Sequence, residues 1–223
     1  MNVSYRLVIV ASVFITCLLT ANIIAVKVIS LGPFTLPAAI FVFPLSYIFG
    51  DVLTEVYGYR TARRIIWLGF ACNLVFIFFA WTGQILPGAD FWEAQVAYER
   101  ILGFVPRIVG ASICGYLAGE FLNSYILSRM KILTGGRWLW SRTIGSTIAG
   151  QGLDTAIFIT LAYVGTGSPV VRMILHHWFV KTAIEIICTP ATYAIVNWLK
   201  KVEGIDYYDR ETSYNPFVIS DKR

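Results

Sequence analysis

Residues 36–57 read LPAAIFVFPLSYIFGDVLTEVY, an apolar and aromatic run interrupted by two carboxylates, Asp51 and Glu55. About 20 apolar residues in a helix cross the hydrocarbon core of a bilayer, so this run is long enough to span one. Tyr47, Asp51, Thr54, Glu55 and Gly58 recur at helical spacing and share one face. A carboxylate placed in hydrocarbon costs roughly 2.5–3.5 kcal/mol on insertion scales, so it needs a partner, a watery cavity or a polar ligand. Pro44, with Ser46 beside it, removes a backbone hydrogen bond and reads as a kink of the kind that lines cavities in membrane helices.

Working outward, five more apolar runs lie near residues 6–29, 63–83, 103–128, 141–164 and 172–199. With residues 36–57 they predict an all-α membrane protein, a compact bundle of six transmembrane helices forming a single domain over residues 1–223. The composition agrees: 57% hydrophobic and 14% charged residues, with a mean hydropathy of +0.67, exclude a soluble domain. The first run lacks a small-residue cleavage site, so it is expected to be a retained helix. Short connections leave no room for a soluble nucleotide-binding domain.

The net charge of +5 is distributed by topology. Arg6, Arg60, Arg63, Arg64, Arg129, Lys131, Arg137, Arg142, Lys200 and Lys201 fall on one side of a six-helix arrangement, while Arg100, Arg107 and Arg172 fall on the other together with Asp90, Glu93 and Glu99. The positive-inside rule then places both termini in the cytoplasm, and no direct nucleic-acid binding is implied. Cys17, Cys72, Cys114 and Cys188 all lie within spans without paired spacing, which predicts free, buried thiols and neither a disulfide nor a zinc site.

The turn at residues 31–37 is short and uncharged, making the first two helices antiparallel neighbours. Segment 84–102 is the longest exterior connection and is expected to carry a short surface helix. The tail from Glu203 is polar and reads as loosely ordered. No internal repeat is evident.

Four runs carry polar residues at membrane depth. On the second, Asp51 and Glu55 either pair with Arg63 or Arg64 at the cytoplasmic end or face a cavity. The fourth places Gly115 and Gly119 in a G-x-x-x-G pair, a close-packing signal, just before Glu120 and Asn123 on a common face. The fifth has Thr143, Thr147, Gly150, Gln151 and Asp154 in one stripe; hydroxyls and glycines there are ordinary helix glue, whereas Gln with Asp favours ligand contact. On the sixth, His177, Lys181 and Glu185 follow at four-residue steps, so Lys181 and Glu185 could neutralise each other within the helix. His176 and His177 read as interfacial or gate-lining. Lys27, near the end of the first run, reads as snorkelling.

No H-E-x-x-H or G-x-S-x-G occurs, and neither Gly150–Asp154 nor Phe49-Gly50-Asp51 matches the G-x-G-D of intramembrane aspartyl proteases. No catalytic residues, cofactor or metal are expected.

Together, DVLTEVYGYRTARR at 51–64, GEFLNS at 119–124, GSTIAGQGLDT at 145–155, and Lys181 with Glu185 ahead of Thr189-Pro190 resemble the queuosine-precursor transporter family, in order and on four of six runs. The resemblance implies a multi-pass importer in the bacterial inner membrane. Its cargo would be 7-cyano-7-deazaguanine and 7-aminomethyl-7-deazaguanine, with queuine as a third candidate, for tRNA queuosine modification. It also implies a bundle similar to the substrate-binding subunits of energy-coupling-factor vitamin transporters. A guanine-like edge presents adjacent N–H donors that one carboxylate accepts, and a carbonyl that an amide or ammonium satisfies. On that basis Asp154 or Glu120 would take the base edge, Gln151 and Asn123 would complete its hydrogen bonds, and Lys181 with Glu185 would shape or gate the cavity. Asp51 and Glu55 would hold their helix against the basic loop of Arg63 and Arg64, or relay a proton. The glycine-rich faces leave a homodimer open. Two rivals remain: an ion-coupled transporter of another small polar solute, and a membrane scaffold whose buried acids only pair with Arg and Lys.

Overall fold

The computed structural model describes residues 4–25, 27–31, 34–103, 105–165, 170–209, 212, 214, 215 and 217. Its helices are α1 (Tyr5–Ile24), α2 (Phe43–Tyr57), α3 (Tyr59–Ile85), α4 (Gln95–Tyr98), α5 (Val105–Leu133), α6 (Leu139–Tyr163) and α7 (Val170–Glu203). Each apolar run holds one of the six long helices, and the single-turn α4, followed by a π-helical turn at Glu99–Gly103, lies in the 84–102 connection. Among the described residues, four segments are both long and apolar enough to cross a membrane: α1, Ala38–Tyr57, α3 and α7. Helices α5 and α6, at 29 and 25 residues, are long enough but carry the glycine, hydroxyl and carboxylate stripes.

The first two runs differ from their sequence reading. Helix α1 stops at Ile24, and an antiparallel hairpin of β1 (Val28–Leu31) and β2 (Phe34–Pro37) follows, pairing Val28 with Pro37 and Leu31 with Phe34. β-branched Val28 and Ile29 suit a strand, and the amide of Ala38 closes the hairpin by donating to the Lys27 carbonyl at 2.7 Å. A 3₁₀ turn at Ala38–Phe41 then leads into α2. Pro44 therefore kinks nothing: it sits in the first turn of α2, where a missing N–H has no intrahelical partner to lose. The internal proline is Pro190 of α7, where Thr189 Oγ1 donates to the Glu185 carbonyl at 3.0 Å one turn back.

Helix α2 is the centre of the bundle and contacts α1, α3, α5 and α7. All of its residues except Phe43, Leu45 and Phe49 are buried. Its Val52, Leu53 and Val56 meet Phe14 and Leu18 of α1, Ile66 of α3, and Val196 and Leu199 of α7 in one apolar core. Large apolar side chains cover the outside instead, among them Phe78 and Phe79 of α3 and Phe179 and Ile187 of α7. That arrangement of apolar exterior and polar interior suits a lipid solvent.

Gly58 separates α2 from α3 with φ 84° and ψ 159°, and the Tyr207 ring occupies the place a Cβ would take. Ser4 caps α1 and donates to Glu203 Oε1 at 2.5 Å, so the start of α1 and the end of α7 meet at one end of the bundle, the basic end.

The described part of the tail is anchored there. Asp209, 2% exposed, accepts from the Tyr59 amide at 2.9 Å and from Ser128 Oγ at 2.7 Å. Gly58 offers α3 no side-chain cap, and the Asp209 carboxylate satisfies an orphan amide at the positive end of that helix. Tyr214 then packs on Tyr59 and Tyr125 with centroids 5.2 and 5.0 Å apart. The expectation of a loose tail is thus corrected for these residues. The cysteines are free, but not buried as expected: Cys114 is exposed and the other three are half-buried on the apolar outside.

Candidate functional site

The site begins with how closely α5 and α6 approach. A Cβ on Gly119 would lie 2.6 Å from Asp154 Cβ, 2.7 Å from the Gly150 carbonyl and 2.8 Å from Tyr47 Oη, while one on Gly150 would lie 2.7 Å from Asn123 Cβ. Gly115 likewise faces the Asp154 backbone. The G-x-x-x-G pair works as a packing face, and its neighbours Glu120 and Asn123 are brought against the Gln151–Asp154 stripe, with α2 close by.

Around this seam the interior is polar. Asp51, Glu120, Asn123, Gln151, Asp154, Lys181 and Glu185 are each at most 4% exposed. Lys181 Nζ donates to Asp154 Oδ2 at 2.8 Å and sits 4.5 Å from the Phe43 ring centroid. The intrahelical pair with Glu185 does not form, because Asp154 offers Lys181 a carboxylate from the facing helix. Asn123 Nδ2 donates to Asp51 Oδ1 at 2.7 Å, and the Glu120 carboxylate lies directly against Gly50, where no Cβ stands in its way.

What distinguishes this interior is the number of atoms without a protein partner. Both carboxylate oxygens of Glu120 and of Glu185, both amide atoms of Gln151, Asp51 Oδ2, Asn123 Oδ1 and the hydroxyls of Tyr47 and Tyr116 are buried and make no hydrogen bond to the protein. Buried polar groups are normally satisfied, and each one left alone costs about 1–3 kcal/mol. A ligand with complementary donors and acceptors removes that cost.

Toward the basic end the chemistry changes. Glu55 accepts from Arg142 at 2.5 Å and Lys200 at 2.7 Å, and Lys131 Nζ lies 3.5 Å away. Lys131 also donates to the carbonyls of Glu55 and Tyr207 at 2.6 and 2.7 Å and to Asp206 at 2.7 Å, spending all three of its protons. One carboxylate of α2 thereby ties together α5, α6, α7 and the tail.

Arg63 and Arg64, partners for Asp51 and Glu55 in one of the two readings, pair with neither. Arg63 is buried and donates to the Asn215 carbonyl at 2.8 Å, and Arg64 is exposed. Both follow Glu55 by about two turns on the next helix, and the break at Gly58 redirects them. Lys131, Arg142 and Lys200 were legible only as members of the basic side; nothing in their local sequence marks them as converging on Glu55. Tyr116 had no signal beyond its place one turn before Glu120. Lys27 is exposed, His177 is buried, and the His176 ring meets Phe34 of the hairpin at 5.6 Å.

Helices that are apolar without and charged within define a membrane protein with a polar interior shared by α2, α5, α6 and α7. The family described as "Putative vitamin uptake transporter" matches residues 37–195, and the chain belongs to it. It is 31% identical over 177 residues, 78% of this chain and 77% of the relative, to "Probable queuosine precursor transporter" of Bacillus subtilis (strain 168). To "Queuosine precursor transporter" of Escherichia coli (strain K12) it is 28% identical over 159 residues, 71% of this chain and 67% of that relative. No solved structure matches it. The family is one of transporters, not of enzymes.

Proposed function

We propose that this protein imports queuosine precursors, 7-cyano-7-deazaguanine and 7-aminomethyl-7-deazaguanine with queuine as a third cargo, across the bacterial inner membrane. The observation that carries the reading is the set of buried, unpartnered donors and acceptors at the α2–α5–α6–α7 crossing, which complements a guanine-like edge. The names of the relatives support the same class of cargo. Of the two carboxylates that could take adjacent N–H donors, Asp154 is committed to Lys181, so Glu120 takes the base edge. Gln151 and Asn123 complete its hydrogen bonds, and Lys181, held by Asp154, closes one side of the cavity. A scaffold whose acids serve only to pair with cations accounts for Glu55 and Asp154 but leaves Glu120 and Glu185 unexplained.

In this reading six helices span the bilayer, with both termini at the basic, cytoplasmic end, in a bundle like the substrate-binding subunits of energy-coupling-factor transporters. The Glu55 cluster is the cytoplasmic gate, which parts to release cargo, and Asp51, one turn before Glu55 on α2, borders the site through Asn123. Uptake tests the proposal: in a host unable to make the precursors, each base is fed separately and queuosine is read in tRNA. Expression of this protein restores the modification. Asp154→Asn and Gln151→Ala, at parental expression levels, reduce it; unaltered import by both overturns the site assignment.

A further inference from the structure

The interior carries more carboxyl groups than cationic ones, and the imbalance is local. Asp51, Glu120, Asp154 and Glu185 gather around the seam, and among the described residues the one cation paired within this group is Lys181, taken by Asp154. Arg142 is the other cation near Asp51, but Glu55 holds it. Glu185 is completely buried, within electrostatic reach of Asp51 and Glu120, and both of its oxygens are without a protein partner. The Tyr47 hydroxyl, within electrostatic reach of Asp154, Glu120 and Glu185, is itself without a partner. A planar base edge can satisfy one carboxylate. Two remain, Asp51 through its free Oδ2 and Glu185 through both oxygens.

We infer that Asp51 and Glu185 form a seat for an ammonium group, so that the site selects the aminomethyl base over neutral bases of similar size. This rests on the proposed function and names the preferred member of its substrate class. A charge-assisted hydrogen bond is roughly twice as strong as a neutral one, and an ammonium offers three donors where a nitrile offers none. The cation would also balance the excess of carboxylates, which a neutral cargo cannot do. Glu185 precedes Pro190 by little more than one turn, so its carboxylate projects from a part of α7 whose backbone ladder is interrupted just below it.

Binding to the purified full-length protein in detergent tests this, with 7-aminomethyl-, 7-hydroxymethyl- and 7-cyano-7-deazaguanine as probes. The hydroxymethyl form matches the amine in size without its charge. Roughly tenfold tighter binding of the amine is expected, the scale of one hydrogen bond to a charged group. Glu185→Gln and Asp51→Asn should each lower affinity for the amine more than for the cyano form, so that most of that preference is erased. The ligand series on the parental protein needs no variant and so stands even where a substitution unfolds the bundle. Equal affinity for the three bases overturns the ammonium seat and leaves the proposed function intact; absence of binding by all three overturns both.

Discussion

Lys181 Nζ and Asp154 Oδ2 lie 2.8 Å apart in the buried interior and join α7 to α6, each supplying the charge that the other needs. Breaking a buried pair on one side strands a charge and typically costs 3–5 kcal/mol, whereas replacing both members by neutral groups is far milder. Asp154→Asn or Lys181→Met alone should therefore lower the melting temperature in detergent sharply. The double variant should recover much of the loss, although uptake stays impaired. Additive losses would show that the two side chains act independently.

The seam between α5 and α6 gives a second expectation. A methyl group on Gly119 or Gly150 meets backbone oxygen or a neighbouring Cβ at 2.6–2.8 Å, and neither contact can be relieved by rotating a flexible side chain. Gly119→Ala and Gly150→Ala should each destabilise by about 1–3 kcal/mol through overpacking and displace Glu120 from Gln151. Uptake should fall more than stability does. Gly110→Ala, which meets nothing within 4 Å, is the control and should be silent in both measurements.

The tail carries a pH signature. Partial burial pushes the Asp206 carboxyl up, but hydrogen bonds and charge from Lys131 and Lys200 outweigh it and hold the group below its ordinary value of 3.8. A carboxylate depressed in the folded state stabilises above its unfolded pKa, and that contribution disappears as the pH falls through the folded value. The tail should thus stay docked through the neutral range and loosen only in acid, below pH 3.8. Hydrogen exchange of residues 205–209 across an acid titration reads this directly. In Asp206→Asn the same segment should exchange faster at neutral pH, with the acid-dependent step gone. Because Asp206 is 45% exposed, the effect belongs to the tail rather than to the whole bundle.

Periodicity carried most of the helices. Tyr47, Asp51 and Glu55 share a helical face whatever surrounds them, and glycines at 115 and 119 announce a close approach, but neither run says which helix comes to meet it. Pairing across helices was not legible either. Lys181 has Glu185 one turn away on its own helix yet takes Asp154, because rotamer and inter-helix distance decide between two carboxylates that look equivalent in sequence. Glu55 passes over Arg63 for Arg142 and Lys200, since Gly58 turns the chain between them. Asp209 was invisible for another reason: a polar tail looks unstructured until the uncapped amide of Tyr59 gives it something to bind.

Glu120 provides the sharpest separation of binding from folding. Its buried carboxyl group contacts Gly50 and is paired with no cation, so Glu120→Gln replaces an acid by an amide of the same size without breaking an ion pair. The unliganded variant should melt at or above the parental temperature, because a buried unpaired acid is replaced by a neutral amide. Stabilisation by added deazaguanine should nevertheless be lost, since an amide presents one acceptor oxygen where the base edge needs two. Glu55→Gln should do the reverse in part: it strands Arg142 in the interior, while Lys200 keeps Asp206, so stability falls by the several kcal/mol typical of a broken buried pair and the base-binding residues stay in place. Retention of ligand stabilisation in Glu120→Gln would move the base edge to another carboxylate. Loss of it in Glu55→Gln at a temperature where that variant is folded would join gate and site into one unit.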